Sequence, residues 1–115
     1  MRKLRTAYVY VRNTFAGELN ETDDGYTFAY DKDYLKREQA SVVSLTLPLS
    51  EEPYFSKTLF PFFDGLVPEG WLLNVVSRNW KMDPKDRFGV LLVACKDGIG
   101  NVSIWEKKDE LFMLR

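Results

Sequence analysis

The chain reads as one small α+β domain: an antiparallel β-meander, or a partly closed barrel, of about five strands, packed by two α-helices from its C-terminal half. Three observations predict this. Apolar residues alternate with period two through the first thirty residues and again near residues 102–105. Helical periodicity is confined to residues 68–95. A length of 115 residues with 45% apolar and 15% aromatic side chains suffices for one modest core and no more.

Residues 5–11 put Ala7, Val9 and Val11 on one face and Tyr8 and Tyr10 on the other, a strand of β-branched and aromatic type. Arg12-Asn13-Thr14 turns the chain, with Asn13 suited to the left-handed region. Phe15, Gly17 and Leu19 are expected to share one face of the second strand. Asp24-Gly25 predicts a type I′ hairpin, and Tyr26, Phe28 and Tyr30 line one side of the third strand. Asp31 or Asp33 caps a single helical turn over residues 34–37. Residues 41–47 alternate again, Val43, Leu45 and Leu47 against Ser44 and Thr46, and predict a strand that Pro48 ends. Ser50-Glu51-Glu52-Pro53 reads as a solvated acidic loop.

The stretch from Phe60 to Trp80 is the centre of the chain. Pro61 suits the first position of a helical turn and Gly65 its end. Pro68 is expected to open the next helix, with Glu69 at its positive pole. There Leu72, Leu73, Val75, Val76 and Trp80 gather on one face, leaving Trp71 with Asn74 and Arg78 on the other. A tryptophan so placed is either tucked against a neighbouring loop or offered to a partner. Asp83-Pro84 then caps a second helix, whose buried stripe is Phe88, Leu91, Leu92 and Cys95 and which Lys96-Asp97-Gly98 closes. Val102 and Ile104, alternating with Ser103 and Trp105, form the last strand. The domain proper is residues 1–106. Residues 107–115 form a tail whose Leu111-Phe112-Met113-Leu114 either packs back on the domain or docks elsewhere.

Composition excludes several functions. The net charge of −1, with acids and bases interspersed, supplies no field for direct binding of nucleic acid or an anionic membrane. No apolar run approaches a bilayer span, and the basic start MRKLRTAYVYV lacks a signal-peptide core, so it reads as the first strand of a cytoplasmic protein. Histidine is absent, which removes Ser–His–Asp and Cys–His catalysis and imidazole zinc sites. The lone Cys95 forms no internal disulfide and reads as a buried thiol. Gly98 and Gly100 follow a helix and precede a strand, the reverse of a phosphate loop. No catalytic residue, metal ligand or cofactor motif is expected.

Against that background, Ser44-Leu45-Thr46-Leu47-Pro48, then Phe62-Phe63-Asp64-Gly65-Leu66-Val67-Pro68-Glu69-Gly70, then Asp86-Arg87-Phe88-Gly89 and a closing Gly-x-Gly resemble a known pattern. From Tyr8 to Trp105 the chain resembles the small N-terminal subdomain of the HipA toxin kinases. It departs from that family in Trp71-Leu72-Leu73, where an Arg often follows Pro-Glu-Gly, and in Gly100-Asn101-Val102, where Gly-Ala-Leu is usual. In the family a serine/threonine kinase core follows in the same polypeptide. Here no kinase glycine-rich loop, His-Arg-Asp or Asp-Phe-Gly is found. A free-standing copy is similar to the HipS-type antitoxins of three-component HipBST systems. The resemblance implies binding to, and inhibition of, a separately encoded HipA-like kinase core, by blocking its cleft or restraining a lobe. A helix-turn-helix DNA-binding protein is implied as a further partner through that complex. The alternative is a docking subunit that does not inhibit. The residues expected to meet the partner are Phe63, Pro68, Glu69, Trp71, Asn74 and Arg78.

Overall fold

The computed structural model describes residues 2–94 and 101–107. Cys95, the helix stop at 96–98 and the apolar tail lie outside them. The strands are β1 Lys3–Val11, β2 Thr14–Thr22, β3 Tyr26–Tyr30, β4 Tyr54–Ser56 and β5 Val102–Trp105. The helices are α1 Lys32–Leu35, α2 Pro61–Asp64, α3 Gly70–Asn79 and α4 Arg87–Ala94. The five strands form one antiparallel sheet in the order β4-β3-β2-β1-β5, open rather than closed into a barrel.

The meander forms as its pattern dictates. Ala7, Val9 and Val11 are buried, and Arg12 and Asn13 both adopt positive φ, 48° and 64°, to make the tight turn into β2. One expectation there fails. The register skips between Val9, opposite Gly17, and Tyr10, opposite Phe15, leaving Ala16 as the extra residue of a bulge. The bulge sends Ala16 into the core and puts Phe15 on the opposite face, against Tyr8 and Tyr10 at 6.1 and 5.5 Å. The second turn also differs from type I′. Only Gly25 has positive φ, and the Thr22 hydroxyl organises the loop by accepting from the N–H groups of Asp24 and Gly25.

Asp31 caps α1, its carboxylate accepting from the Tyr34 N–H at 3.1 Å. Residues 41–47 are not a strand. They contain one bridge, Ser44 to Leu47, closed by the Leu47 N–H donating to the Ser44 carbonyl at 2.9 Å. Val43 and Leu47 are buried while Leu45, between them in the pattern, is 91% exposed. Tyrosine hydroxyls replace the missing ladder. Tyr30 donates to the Leu47 carbonyl and accepts from the Val43 N–H at 2.9 Å. Tyr34 donates to the Ser41 carbonyl at 2.7 Å and accepts from its N–H at 2.9 Å, and Tyr54 donates to the Pro48 carbonyl at 2.8 Å. The fourth strand is instead Tyr54–Ser56, paired with β3.

All the helices that bury apolar side chains bury them on one face of the sheet. Tyr34, Phe63, Phe88, Val90 and Leu91 join Ala7, Val9, Leu19, Phe28 and Ile104 in a single cluster. Gly17 permits the closest approach in the sheet: a Cβ there would lie 2.4 Å from the Ala29 carbonyl oxygen and 3.1 Å from the Phe28 ring. Helix α4 starts at Arg87, three residues after Pro84, because Asp86 rather than Asp83 serves as its cap. The Asp86 carboxylate accepts from the Gly89 N–H at 3.1 Å. Arg5 holds that carboxylate from two sides, Nη1 to Oδ2 at 2.9 Å and Nη2 to Oδ1 at 2.8 Å. Arg5 also grips Glu21 on β2 at 2.7 and 2.8 Å, with its guanidinium 5.2 Å above the Phe88 ring. The hydrogen bond from Arg5 pulls the Asp86 pKa below its ordinary value against the opposing effect of burial, and Arg5 is raised by Glu21 and Asp86 in turn.

Candidate functional site

The loop from α2 into α3 is built from both ends. Pro61 stands at the start of α2, and Gly65 ends it in the right-handed region, its N–H donating to the Pro61 carbonyl at 2.9 Å. Val67 then drops into the core. Pro68 does not open α3. The helix begins two residues later, with Glu69 as N-cap residue and Gly70 at φ +59°, a left-handed step with no atom within 4 Å of where a Cβ would stand. Arg87 at the start of α4 fastens the loop. Its Nε donates to Asp64 Oδ1 at 2.8 Å, and its Nη2 reaches both the Asp64 carbonyl at 3.2 Å and Glu69 Oε1 at 3.0 Å. The Asp64 bond is the main cause that raises the Arg87 pKa.

Helix α3 lies against the domain through Leu73, Val76 and Ser77, and the Ser77 hydroxyl donates to the Leu73 carbonyl at 2.7 Å. At 100° per residue, this inner stripe is turned by about 60° from the centre of the helix's apolar residues. A serine thereby takes a buried place, and Leu72, Val75 and Trp80, expected inside, stand 45%, 41% and 60% exposed. Trp71 is 76% exposed, with Asn74 and Arg78 exposed beside it. Leu72 and Val76 form one wall of an apolar groove of about 390 Å³, whose other wall is Leu66, Val67 and Pro68.

The residues expected to meet a partner therefore separate. Trp71, Asn74 and Arg78 share the outer face of α3, Glu69 is exposed at its start, and Pro68 is half-buried in the groove. Phe63 is the exception. It is fully buried, with Phe28, Phe60 and Phe62 ring centroids 5.6, 6.3 and 5.2 Å away, so it supports the loop from beneath and presents nothing outward. Leu66, Leu72 and Val75 also stand on or beside this surface, where sequence reasoning did not place them. The signal that could have found them is Ser77, a small helical residue one turn after Leu73, which marks close packing on that side.

The surface combines apolar side chains, the Asn74 amide, Arg78 and the Glu69–Arg87 ion pair, and among the described residues no three His, Cys, Asp or Glu side chains converge as a metal site. Among them too, no helix is long and apolar enough to cross a membrane.

Comparison with known proteins supplies the relationship. The sequence pattern of the HipA N-terminal domain matches residues 7–105. The chain belongs to the HipA N-terminal domain family. A solved structure described as the N-terminal domain of HipA toxin is similar at a TM-score of 0.70 and 34% identity, over 96% of this chain and all of that one. An uncharacterized protein of Haemophilus influenzae is 38% identical over 109 residues, covering 94% of this chain and 99% of that protein. The similarity is thus to the N-terminal domain of HipA and not to a kinase core.

Proposed function

We propose that this HipA N-terminal-like protein acts in the cytoplasm as an antitoxin. It binds a separately encoded HipA-type serine/threonine kinase and holds it inactive, with no chemistry of its own, and it meets a helix-turn-helix DNA-binding protein only through that kinase. The observation that supports this most is the outer face of α3, where Trp71, Leu72 and Val75 stand in solvent beside the groove under Leu66 and Pro68. Exposed apolar side chains of this size, clustered with an arginine, have the composition of an interface centre. Family membership favours a kinase as the occupant. The relative of nearly equal length supports a domain that works as a separate chain.

The test is titration of the purified chain into the HipA-type kinase encoded beside it, following both complex formation and kinase activity. Full-length wild type is expected to bind and to suppress activity. Trp71→Ala is expected to keep its fold, since the indole is 76% exposed, and to weaken the complex by at least about 2 kcal/mol, roughly 30-fold. Binding without loss of kinase activity, or without relief of kinase toxicity on co-expression, would favour a docking subunit over an inhibitor. Unchanged affinity for Trp71→Ala would remove the α3 face from the interface.

A further inference from the structure

Strands β2 and β3 hold a buried hydrogen-bond donor at the floor of a recess, on the face of the sheet that turns away from the helices. Leu19 and Phe28, opposite each other on the two strands, lie in the core. The residues that alternate with them, Glu18 and Asn20 on β2 and Ala29 on β3, therefore occupy the other face. There they line a recess of about 250 Å³ together with Lys3, Asp31 and Lys32. Asn20 is only 6% exposed, although its side chain is an amide. Its carbonyl oxygen accepts from the Thr6 hydroxyl at 2.6 Å, and Thr6 stands opposite it on β1. That bond turns the amide nitrogen away from β1, toward the β3 side where the recess opens. Among the described residues this nitrogen donates to nothing, Thr27 opposite it on β3 included.

A buried amide nitrogen without an acceptor is unfavourable, and the space in front of it is far larger than one ordered water needs. The charges around that space are balanced. Lys3 and Lys32 bring two cations, Glu18 and Asp31 two anions, and among the described residues none of the four is in an ion pair. Asp31 spends Oδ2 on the Tyr34 N–H and keeps Oδ1. Ala29 leaves the wall low where a longer side chain would fill the space. We propose that this recess binds a small zwitterion of the α-amino-acid type. Its carboxylate accepts from the Asn20 amide with Lys3 and Lys32 as counter-charges, and its ammonium faces Glu18 and Asp31. A simple anion would meet two carboxylates with nothing to offset them. A simple cation would meet two ammonium groups and could not accept from the amide. The volume, below that of a drug-sized pocket, limits the ligand to a small molecule. The site lies on the opposite face of the sheet from α3, so it does not depend on the antitoxin reading.

The experiment follows the side-chain amide signals of Asn20 by nuclear magnetic resonance in the isotope-labelled full-length chain. Each common L-amino acid is added in turn at millimolar concentration, beside acetate and ethylammonium, which each carry one of the two charges. At least one amino acid is expected to shift the Asn20 signals saturably, with acetate and ethylammonium weaker by about tenfold or more. No saturable shift with any amino acid, or an equal response to acetate alone, would overturn the assignment. Two variants then locate the ligand by calorimetry with the amino acid that binds. Ala29→Leu fills the recess without touching the amide, and Asn20→Asp keeps the size of the side chain and the acceptor for Thr6 but repels a carboxylate. Each should weaken binding by about tenfold or more while far-ultraviolet dichroism is retained. Undiminished binding to either folded variant would place the ligand elsewhere and refute the proposal, and no readout involves a kinase.

Discussion

Tyr30→Phe isolates one hydroxyl and removes two buried hydrogen bonds at once. In the native fold that hydroxyl donates to the Leu47 carbonyl and accepts from the Val43 N–H at 2.9 Å. Val43 and Leu47 are 5% and 3% exposed, so water cannot take over both roles. Phenylalanine keeps the ring and its edge-to-face contact with Phe28 at 4.9 Å, and hence most of the packing. Each unpaired buried backbone group costs about 1–3 kcal/mol, and local relaxation recovers part of the sum, so the expected loss is about 2–3 kcal/mol. At about 4 °C per kcal/mol for a domain of this size, Tm falls by about 8–12 °C. Urea unfolding should shift its midpoint at constant slope. The alkaline limb supplies a second signature. Burial is the main cause that raises the Tyr30 pKa, partly opposed by the Val43 N–H. The folded state therefore holds its proton above the pH near 10 where the unfolded chain releases it. Stability is whole below that pH and falls as pH rises through the folded value. Tyr30→Phe should remove part of this fall and leave the part due to Tyr26, whose pKa burial also raises. A stability change under about 0.5 kcal/mol, with an unaltered alkaline limb, would refute the claim that tyrosine hydroxyls substitute for a strand across residues 41–47.

Other substitutions probe the remaining joints. Gly17→Ala forces a methyl to 2.4 Å from the Ala29 carbonyl oxygen and should cost about 1–3 kcal/mol by urea denaturation, as overpacked sites do. Gly70→Ala meets no neighbour but must adopt φ +59°, so it should lose about 1–2 kcal/mol, and Gly70→Asn, which tolerates that region, should lose less. Asp86→Asn bears on acid stability. Arg5 depresses the Asp86 pKa, so this carboxylate stabilises the fold above the unfolded value near 4 and ceases to do so as pH falls through the folded value. The wild-type melting temperature should therefore drop more steeply than that of Asp86→Asn between pH 5 and the end of the acid transition.

What could be read from the sequence was whatever depends on neighbours in the chain. The meander follows from alternation and from Asn13, the α2 turn from Pro61, and the grouping of Trp71 with Asn74 and Arg78 on one side of α3 from helical spacing, which left open whether Trp71 is tucked against a loop or exposed. The bulge at Ala16 could not be read, because Phe15, Gly17 and Leu19 keep period two whether or not a residue is inserted between them. Residues 41–47 keep it too, yet their polar backbone is satisfied by side chains from positions 30 and 34. Strand β4 spans only Tyr54–Ser56, too short to show a pattern. The start of α4 depends on Arg5, 81 residues before its partner Asp86. The inward face of α3 is chosen by the surface it meets, so Ser77 is buried while Val75 is not. Phe63 was misplaced for the same reason: a motif marks which residues belong together but not which of them looks outward.

The rotation of α3 bears directly on the proposed interface. A helix placed only to complete the core would turn Leu72, Leu73, Val75 and Val76 inward together, since that orientation removes the most apolar surface from water. This one gives up Leu72 and Val75 to solvent, and polar contacts tie down both of its ends. Arg87 clamps its start through Glu69 and Asp64, and the Ser77 carbonyl accepts from the Met82 N–H at 2.9 Å at its end. The loop beneath it is equally fixed, by Val67 and Phe63 in the core. The backbone that carries the exposed stripe is thus anchored at both ends, and a pre-organised backbone loses less conformational freedom on binding than a mobile one. The exposure costs the isolated domain stability that a partner covering this face, as proposed above, would return.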